Sequence, residues 1–215
     1  MRHKNSHPPG NPNGRLCATV KRLPHATRNI GEIVEQYILD YRDKHEREME
    51  FYREQPSLRK AVSVAAHCIG RNGRKHPHQW RRTERTLNRA ASELDSVLRA
   101  IRKCSDFAAL IGLLGQTLES VWGIGELTIY DIAHRVGAYL GFEPRLVYLH
   151  SGTRDAAKLL GIDGKLRAIE PFVLPSAFQR LRPYEIEDAL CIYKDELKQL
   201  SSRVLVRHKS MRGKC

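Results

Sequence analysis

The sequence lacks the features that mark secreted, metal-binding and membrane-spanning proteins. Its five cysteines are scattered and form no C-x-x-C pair, which favours reduced thiols and predicts neither a disulfide framework nor a zinc or iron–sulfur site. No apolar run approaches the roughly 18 residues of a membrane-spanning helix, and the polar N-terminus has no apolar leader segment. We therefore expect a cytoplasmic protein that does not enter a membrane.

Acidic residues are absent from both ends of the chain. Residues 1–28 contain six Lys or Arg, residues 201–215 contain five, and neither segment contains Asp or Glu. Eleven of the thirteen net positive charges thus lie in these segments, which leaves +2 for residues 29–200. This distribution favours a polyanionic partner, because phosphates neutralised by Lys and Arg release counterions. Nucleic acid is the expected partner, since neither end has the amphipathic face that a membrane surface would bind.

Hydrophobic spacing predicts a compact all-α domain over residues 29–200, with no internal repeat and no strand hairpin. We expect a disordered basic arm at residues 1–28 and a basic tail at residues 201–215. The third helix is predicted to run unbroken over about residues 83–103. The predicted helix-end signals are Asn29, Ser57, Ser105, Gly141, Ser151 or Thr153, Gly161 and Pro183.

The most informative stretch is the Gly-Ile-Gly sequence at residues 123–125, which lies between two helical patterns. Glycine adopts positive φ without strain and allows close approach of another backbone. Such a turn at a helix start directs several N–H groups to one point, where the helix dipole favours an anion. The alternative is a tight connection between two helices that binds no ligand.

A second basic region lies in the loop predicted at residues 70–82. Seven Lys or Arg residues and one acid occur between positions 71 and 89. Such a loop holds phosphates while Trp80 stacks on a base. In the alternative interpretation, the loop is merely solvated and Trp80 packs into the core. The predicted phosphate-binding residues of this loop are Arg71, Arg74, Lys75, Arg81 and Arg82.

With helices on both sides of the turn, residues 106–141 resemble a helix-hairpin-helix DNA-binding motif. This resemblance implies that main-chain N–H groups bind a backbone phosphate without reading the base sequence, and it allows a monovalent cation at the hairpin. Glu126 opposes this role, since its carboxylate would repel a phosphate. The implied DNA-binding residues are Gly123, Ile124, Gly125, Glu126 and Thr128. No other cofactor is expected.

The similarity extends over about residues 105–161 to DNA glycosylases of the endonuclease III type, which act in DNA repair, and to uncharacterised bacterial proteins. The catalytic aspartate of the glycosylases aligns with Tyr148, and their Schiff-base lysine aligns with Leu127. A leucine cannot form an imine, and a phenol with a pKa of ~10 is a poor base near neutrality. The cysteine cluster of many members is also missing. The resemblance thus favours binding over catalysis.

Three other residues remain as candidates for catalysis. Asp131 has an alternative role as an ion pair with Arg135 four residues later. His150 is a candidate because histidine is a common general acid or base, but it is also suited to structural hydrogen bonding. Asp155 lies in the first turn of a helix, where the dipole favours a carboxylate regardless of function.

Three functions follow from this sequence. We expect a DNA-binding protein, most suited to double-stranded DNA, with little sequence specificity and no catalysis. The first alternative is a DNA glycosylase or lyase that acts on damaged or modified bases with an atypical catalytic residue. The second is an RNA-binding or protein-interaction module. The sequence leaves the target structure and the oligomeric state open.

Overall fold

The structure of this chain is a computed structural model that describes residues 29–76 and 79–201. The predicted basic arm and nearly all of the basic tail lie outside the described residues. The described part is mostly helical, as expected, and none of its helices is long and apolar enough to cross a membrane. Its α-helices are α1 (Ile30–Tyr37), α2 (Asp43–Arg53), α3 (Leu58–Ala66), α4 (Glu84–Ser96), α5 (Leu98–Arg102), α6 (Phe107–Leu118), α7 (Glu126–Leu140), α8 (Ser151–Leu159) and α9 (Pro183–Ile192), and residues 194–201 are also helical.

The first two helix caps are confirmed. The Asn29 side chain accepts a hydrogen bond from the Glu32 N–H at 3.0 Å, and the Ser57 hydroxyl accepts one from the Lys60 N–H at 3.2 Å. Between α1 and α2 the chain continues through a π-helical segment, Ile38–Arg42. The hydrophobic spacing did not indicate this segment.

The predicted third helix is divided. α4 and α5 are separated at Val97, which has φ −107° and ψ 15°. The predicted cap of the next helix was wrong by one residue. Asp106 accepts the Ala109 N–H at 2.8 Å, while Ser105 donates its hydroxyl to Asp106.

A small antiparallel pair of strands corrects the expectation of a body without strands. β1 (Val147–Tyr148) pairs with β2 (Ala168–Ile169). β1 leads directly to α8, whose N-cap residue is His150. The predicted caps Ser151 and Thr153 lie inside the helix, where the Thr153 hydroxyl accepts the His150 N–H at 2.9 Å.

The core consists of two hydrophobic clusters. One is formed mainly by α2 to α7 and includes Tyr52, Leu94 and Leu114. The other is formed by α1, β1, α8, α9 and the adjoining 3-10 turns, and includes Ile33 and Phe178. Since α1 and α2 are joined through the π-helical segment, one continuous helical run contributes to both clusters.

Candidate nucleic-acid interface

α6 and α7 are joined by a tight turn that requires glycine at one position. Val121 is buried and its N–H donates to the Leu118 carbonyl at 3.0 Å. Gly123 has φ +87°, a left-handed conformation that favours glycine. Gly125 is the N-cap of α7 and has an extended backbone, with φ −118° and ψ 179°. We call residues 121–125 the hairpin turn.

At the N-terminus of α7, main-chain N–H groups are not capped by a side chain. The first backbone bond of this helix joins the Ile129 N–H to the Gly125 carbonyl at 3.0 Å, so the N–H groups of residues 126–128 have no carbonyl partner within the helix. Gly125 has no side chain to cap them, and a Cβ atom placed on it would meet no atom within 4 Å. The partial positive charge of the helix end favours an anion there.

One predicted contact of the hairpin turn, the N–H of Ile124, is corrected by the structure. The Ile124 N–H donates to the Val121 carbonyl at 3.1 Å, so this N–H is used within the turn. The Thr128 side chain is buried, which leaves only its main-chain N–H at the helix start. Gly123 is partly covered by α4, because a Cβ atom placed on it would lie 3.4 Å from Thr86.

Glu126 is paired with Arg154, a residue that the helix-hairpin-helix resemblance does not place in the interface. Its carboxylate accepts a hydrogen bond from Arg154 of α8, and Arg154 also donates to the Leu149 carbonyl at 3.0 Å. The ion pair offsets part of the repulsion that an isolated Glu126 would exert on a phosphate. It also holds a guanidinium beside the hairpin turn.

Some Lys and Arg side chains of the basic loop, residues 70–82, are bonded to other groups of the protein, and others are exposed. Lys75 donates to the Arg82 carbonyl at 2.9 Å, which leaves two N–H donors of its ammonium group, so its role as a phosphate contact stays a prediction. Arg71 lies 3.7 Å from the Glu50 carboxylate, and both side chains remain more than half exposed. Because an exposed pair of this kind contributes little free energy, Arg71 can exchange its partner for a phosphate. Arg74 is exposed.

Both tryptophans of the chain are exposed. The exposed fraction is 89% for Trp122, in the hairpin turn, and 67% for Trp80, in the basic loop. The interpretation of Trp80 as a core anchor was therefore wrong. The buried residue is its neighbour Gln79, whose side-chain amide donates to Asp131. The Arg81 guanidinium lies 5.7 Å from the centre of the Trp80 ring, in cation–π contact.

A cavity of about 280 Å³ lies along the first three turns of α7 and is lined by side chains from both halves of the core. We call it the central cavity. Two of the catalytic candidates, Asp131 and His150, line it. Asp155 does not, since it is exposed on α8 at 3.5 Å from Lys158. The other polar lining residues are Tyr41, Lys44, His45, Glu48, His76, Tyr130, His134, Arg135, Tyr184, Glu187, Asp188 and Cys191.

Burial controls the ionisation of groups around the central cavity. Glu187 of α9 is hydrogen-bonded to His150, and burial raises the pKa of Glu187 to about 7 although this hydrogen bond opposes the rise. Burial lowers the pKa of His45 to about 4 and that of His134 well below its ordinary value of 6.5. Near neutrality the His45 and His134 imidazoles are therefore uncharged, and the Glu187 carboxyl has a pKa raised into the same range.

Several buried polar atoms that belong to residues of the central cavity have no hydrogen-bond partner within the described part of the chain. They are the Tyr130 hydroxyl, His45 Nε2, His150 Nδ1 and one terminal nitrogen of Arg135. Asp131 faces the same space, 3.8 Å from Arg135, so the ion pair expected from their spacing exists. Unpartnered buried donors and acceptors of this kind suit a polar ligand.

Tyr148, which aligns with the glycosylase aspartate, lines a second cavity of about 250 Å³ on the other side of α7. Glu126, Tyr130 and His150 also line this hairpin-side cavity. Burial raises the pKa of the Tyr148 hydroxyl, so even less of the phenolate that could act as a base is present near neutrality. His150 and Tyr130 contribute to both cavities.

Comparisons with protein-family models, curated proteins and solved structures find no match for this chain. The helix-hairpin-helix resemblance and the cation at the hairpin therefore stay predictions. Across residues 29–76 and 79–201, no group of three or more His, Cys, Asp or Glu side chains is arranged to hold a metal ion.

Proposed function

We propose that this protein binds double-stranded DNA through its sugar-phosphate backbone, with little sequence specificity and without catalysis. The α7 N-terminus at Gly125 holds one phosphate, and Arg74, Arg81 and the basic arms hold flanking phosphates. Contacts of these kinds position a protein on DNA but do not distinguish bases.

The observation that carries this proposal is the open N-terminus of α7. Its three N–H groups lack helical partners, no atom lies within 4 Å of a Cβ position on Gly125, and Arg154 is held nearby by Glu126. A solvated helix connection needs only a short turn. The positive φ of Gly123 serves the short turn in either case, whereas the uncapped start of α7 is the feature that favours an anion.

Titration with duplexes of unrelated sequence, single strands and RNA across a range of salt concentrations tests the proposal. We expect similar affinities for all duplexes and weaker binding of single strands and RNA. Equal binding of all polyanions would show that the arms act alone, because their electrostatic attraction has little preference. That result would favour the RNA-binding alternative or a general polyanion-binding role.

Replacing Glu126 by glutamine is expected to tighten duplex binding by about threefold to tenfold at low salt, on the order of 1 kcal/mol for one unpaired arginine near a phosphate. The substitution releases Arg154 from its ion pair and removes the negative charge at the helix start. The matched control is Asp95→Asn, which releases Arg59 from another exposed ion pair. Equal effects of both variants, or weaker binding by Glu126→Gln, would place Glu126 outside the phosphate site.

A DNA glycosylase or lyase is the second candidate, favoured by the position of the central cavity. This cavity adjoins the hairpin turn through Leu127 and brings Asp131, His150 and Glu187 around one space. A carboxylate in such a site would stabilise positive charge that develops on a sugar or would activate a water molecule. Asp131 is the candidate for this role because it lies one helical turn after Leu127.

Assays of base release from a panel of damaged or modified duplexes test the second candidate. If activity is found, Asp131→Asn is expected to lower its rate by on the order of a hundredfold or more, with unchanged duplex affinity. Asp155→Asn, which changes an exposed acid outside the central cavity, is the matched control. If base release survives Asp131→Asn, another residue performs the catalysis. If no duplex releases a base, the protein is not a glycosylase for these substrates and the proposed binding function remains.

A further inference from the structure

We propose that Trp122 stacks on an unpaired base, and that the DNA bound by this protein is a duplex interrupted by a gap or a similar break in base stacking. This inference rests on the proposed function, because it assumes that the hairpin turn holds a phosphate. Beyond the proposed function, it specifies the DNA structure that is bound, a gapped duplex, and the residue that recognises it, Trp122.

The backbone around Trp122 is fixed although its side chain is exposed. On one side, Val121 is buried in the core and bonded to Leu118. On the other side, the Ile124 N–H closes the turn onto the Val121 carbonyl at 3.1 Å. An indole with 89% exposure on a fixed turn is poised to bind, because little conformational freedom of the backbone is lost on contact.

Trp80 belongs to the same region of the surface. It lies three residues before Thr83, the N-cap of α4, and Thr86 of the same helix start lies against Gly123, the neighbour of Trp122. The exposed Arg81 lies over the Trp80 ring. The hairpin turn and the basic loop thus present two exposed indoles beside the N-termini of α4 and α7.

Charge and ring chemistry together indicate the ligand. The chain carries a net charge of +13, and the α7 N-terminus favours an anion at N–H groups four to six residues after Trp122 in the chain. A polymer with phosphates and flat aromatic rings at adjacent positions satisfies both features. Single-stranded nucleic acids are bound in this way, with aromatic side chains stacked on bases.

An intact duplex does not offer this combination. Its bases are stacked on each other, so a ring beside the phosphate-binding turn cannot reach a base face. Where a nucleotide is missing, the flanking base exposes a face next to a backbone phosphate. Stacking then adds to the phosphate contact and favours the interrupted duplex.

The test uses the full chain with Trp80→Phe, which leaves Trp122 as the sole tryptophan, since the sequence has only two. Its fluorescence is titrated with an intact duplex and with the same duplex lacking one internal nucleotide. We expect the gapped duplex to bind on the order of tenfold more tightly and to quench Trp122 more strongly. In the otherwise native chain, Trp122→Ala should abolish this preference, because affinity for the gapped duplex falls to that for the intact duplex.

Phe172→Ala is the matched control. Phe172 is an aromatic residue with 73% exposure, but it lies in a 3-10 turn, Pro171–Val173, away from the hairpin turn in the chain. We expect this variant to retain the preference for the gapped duplex. Loss of the preference in Phe172→Ala would overturn the assignment to Trp122.

Other outcomes separate this inference from the proposed function. Equal affinity for gapped and intact duplexes, or a preference that survives Trp122→Ala, overturns the inference while duplex binding stands. If the protein binds neither duplex, both this inference and the proposed function are overturned. Single-stranded RNA that binds as tightly as the gapped duplex and quenches Trp122 equally would overturn the choice of DNA.

Discussion

Replacing Gly125 by aspartate is expected to weaken duplex binding by tenfold to a hundredfold while the protein keeps or gains stability. The extended backbone of Gly125 is the conformation of an N-cap residue, and open space surrounds its Cβ position. Aspartate is a strong N-cap and complements the helix dipole, so we expect the free energy of unfolding to change by about 0 to +1 kcal/mol. The same carboxylate would occupy the N–H groups that bind the phosphate.

Thermal unfolding and duplex affinity are therefore measured on the same sample of Gly125→Asp. The matched control is Ser57→Asp, which places an aspartate at the N-cap of α3 and keeps its capping interaction. Both variants add one negative charge at a helix start. Only Gly125→Asp should lose duplex affinity by tenfold or more. If Gly125→Asp and Ser57→Asp lose a similar, small amount of duplex affinity, the hairpin turn only connects two helices and binds no phosphate.

Removing residues 1–28 and 202–215 is expected to make DNA binding much less sensitive to salt. These segments contain eleven Lys or Arg and no acid. Each side chain that contacts a phosphate contributes about 0.9 to the slope of log affinity against log salt concentration. We expect the slope to fall by several units and the affinity at low salt to fall by on the order of a hundredfold.

The control for this truncation is the full-length chain with the same eleven Lys and Arg residues changed to glutamine. If charge is the cause, this chain and residues 29–201 alone should show the same reduced slope. The Gly125→Asp substitution should weaken binding further in both. An unchanged slope after truncation would show that the arms do not contact DNA.

The sequence predicts those parts of the fold that depend on neighbouring residues. Asn29 and Ser57 cap their helices, and Gly141 ends α7 with φ +76°, because each signal acts within a few residues. The break at Val97 carries no Gly or Pro to mark it. His150 was not expected as a cap, since histidine is not among the preferred N-cap residues.

The central cavity depends on contacts that no local pattern indicates. Gln79 reaches Asp131 over a separation of 52 residues, and His150 reaches Glu187 over 37. Glu187 and its raised pKa were missed for this reason. The pairing of Glu126 with Arg154 over 28 residues was missed in the same way.

Trp122 was missed for a different reason. It stands directly before Gly123 in a motif whose middle and flanking positions are apolar, so an apolar residue there is expected to pack inward. Its burial depends on whether another helix covers the turn. α4 covers Gly123 through Thr86 but leaves the indole exposed.

The most direct measurement is the amide NMR spectrum of the ¹⁵N-labelled full chain during titration with a short duplex. Phosphate binding at the α7 N-terminus predicts the largest shifts at the N–H groups of Glu126, Leu127 and Thr128, with a small shift at Ile124, whose N–H is already bonded within the turn. Gly125→Asp should abolish these shifts. Shifts confined to residues 1–28 and 202–215, with an unchanged hairpin turn, would contradict the proposed function.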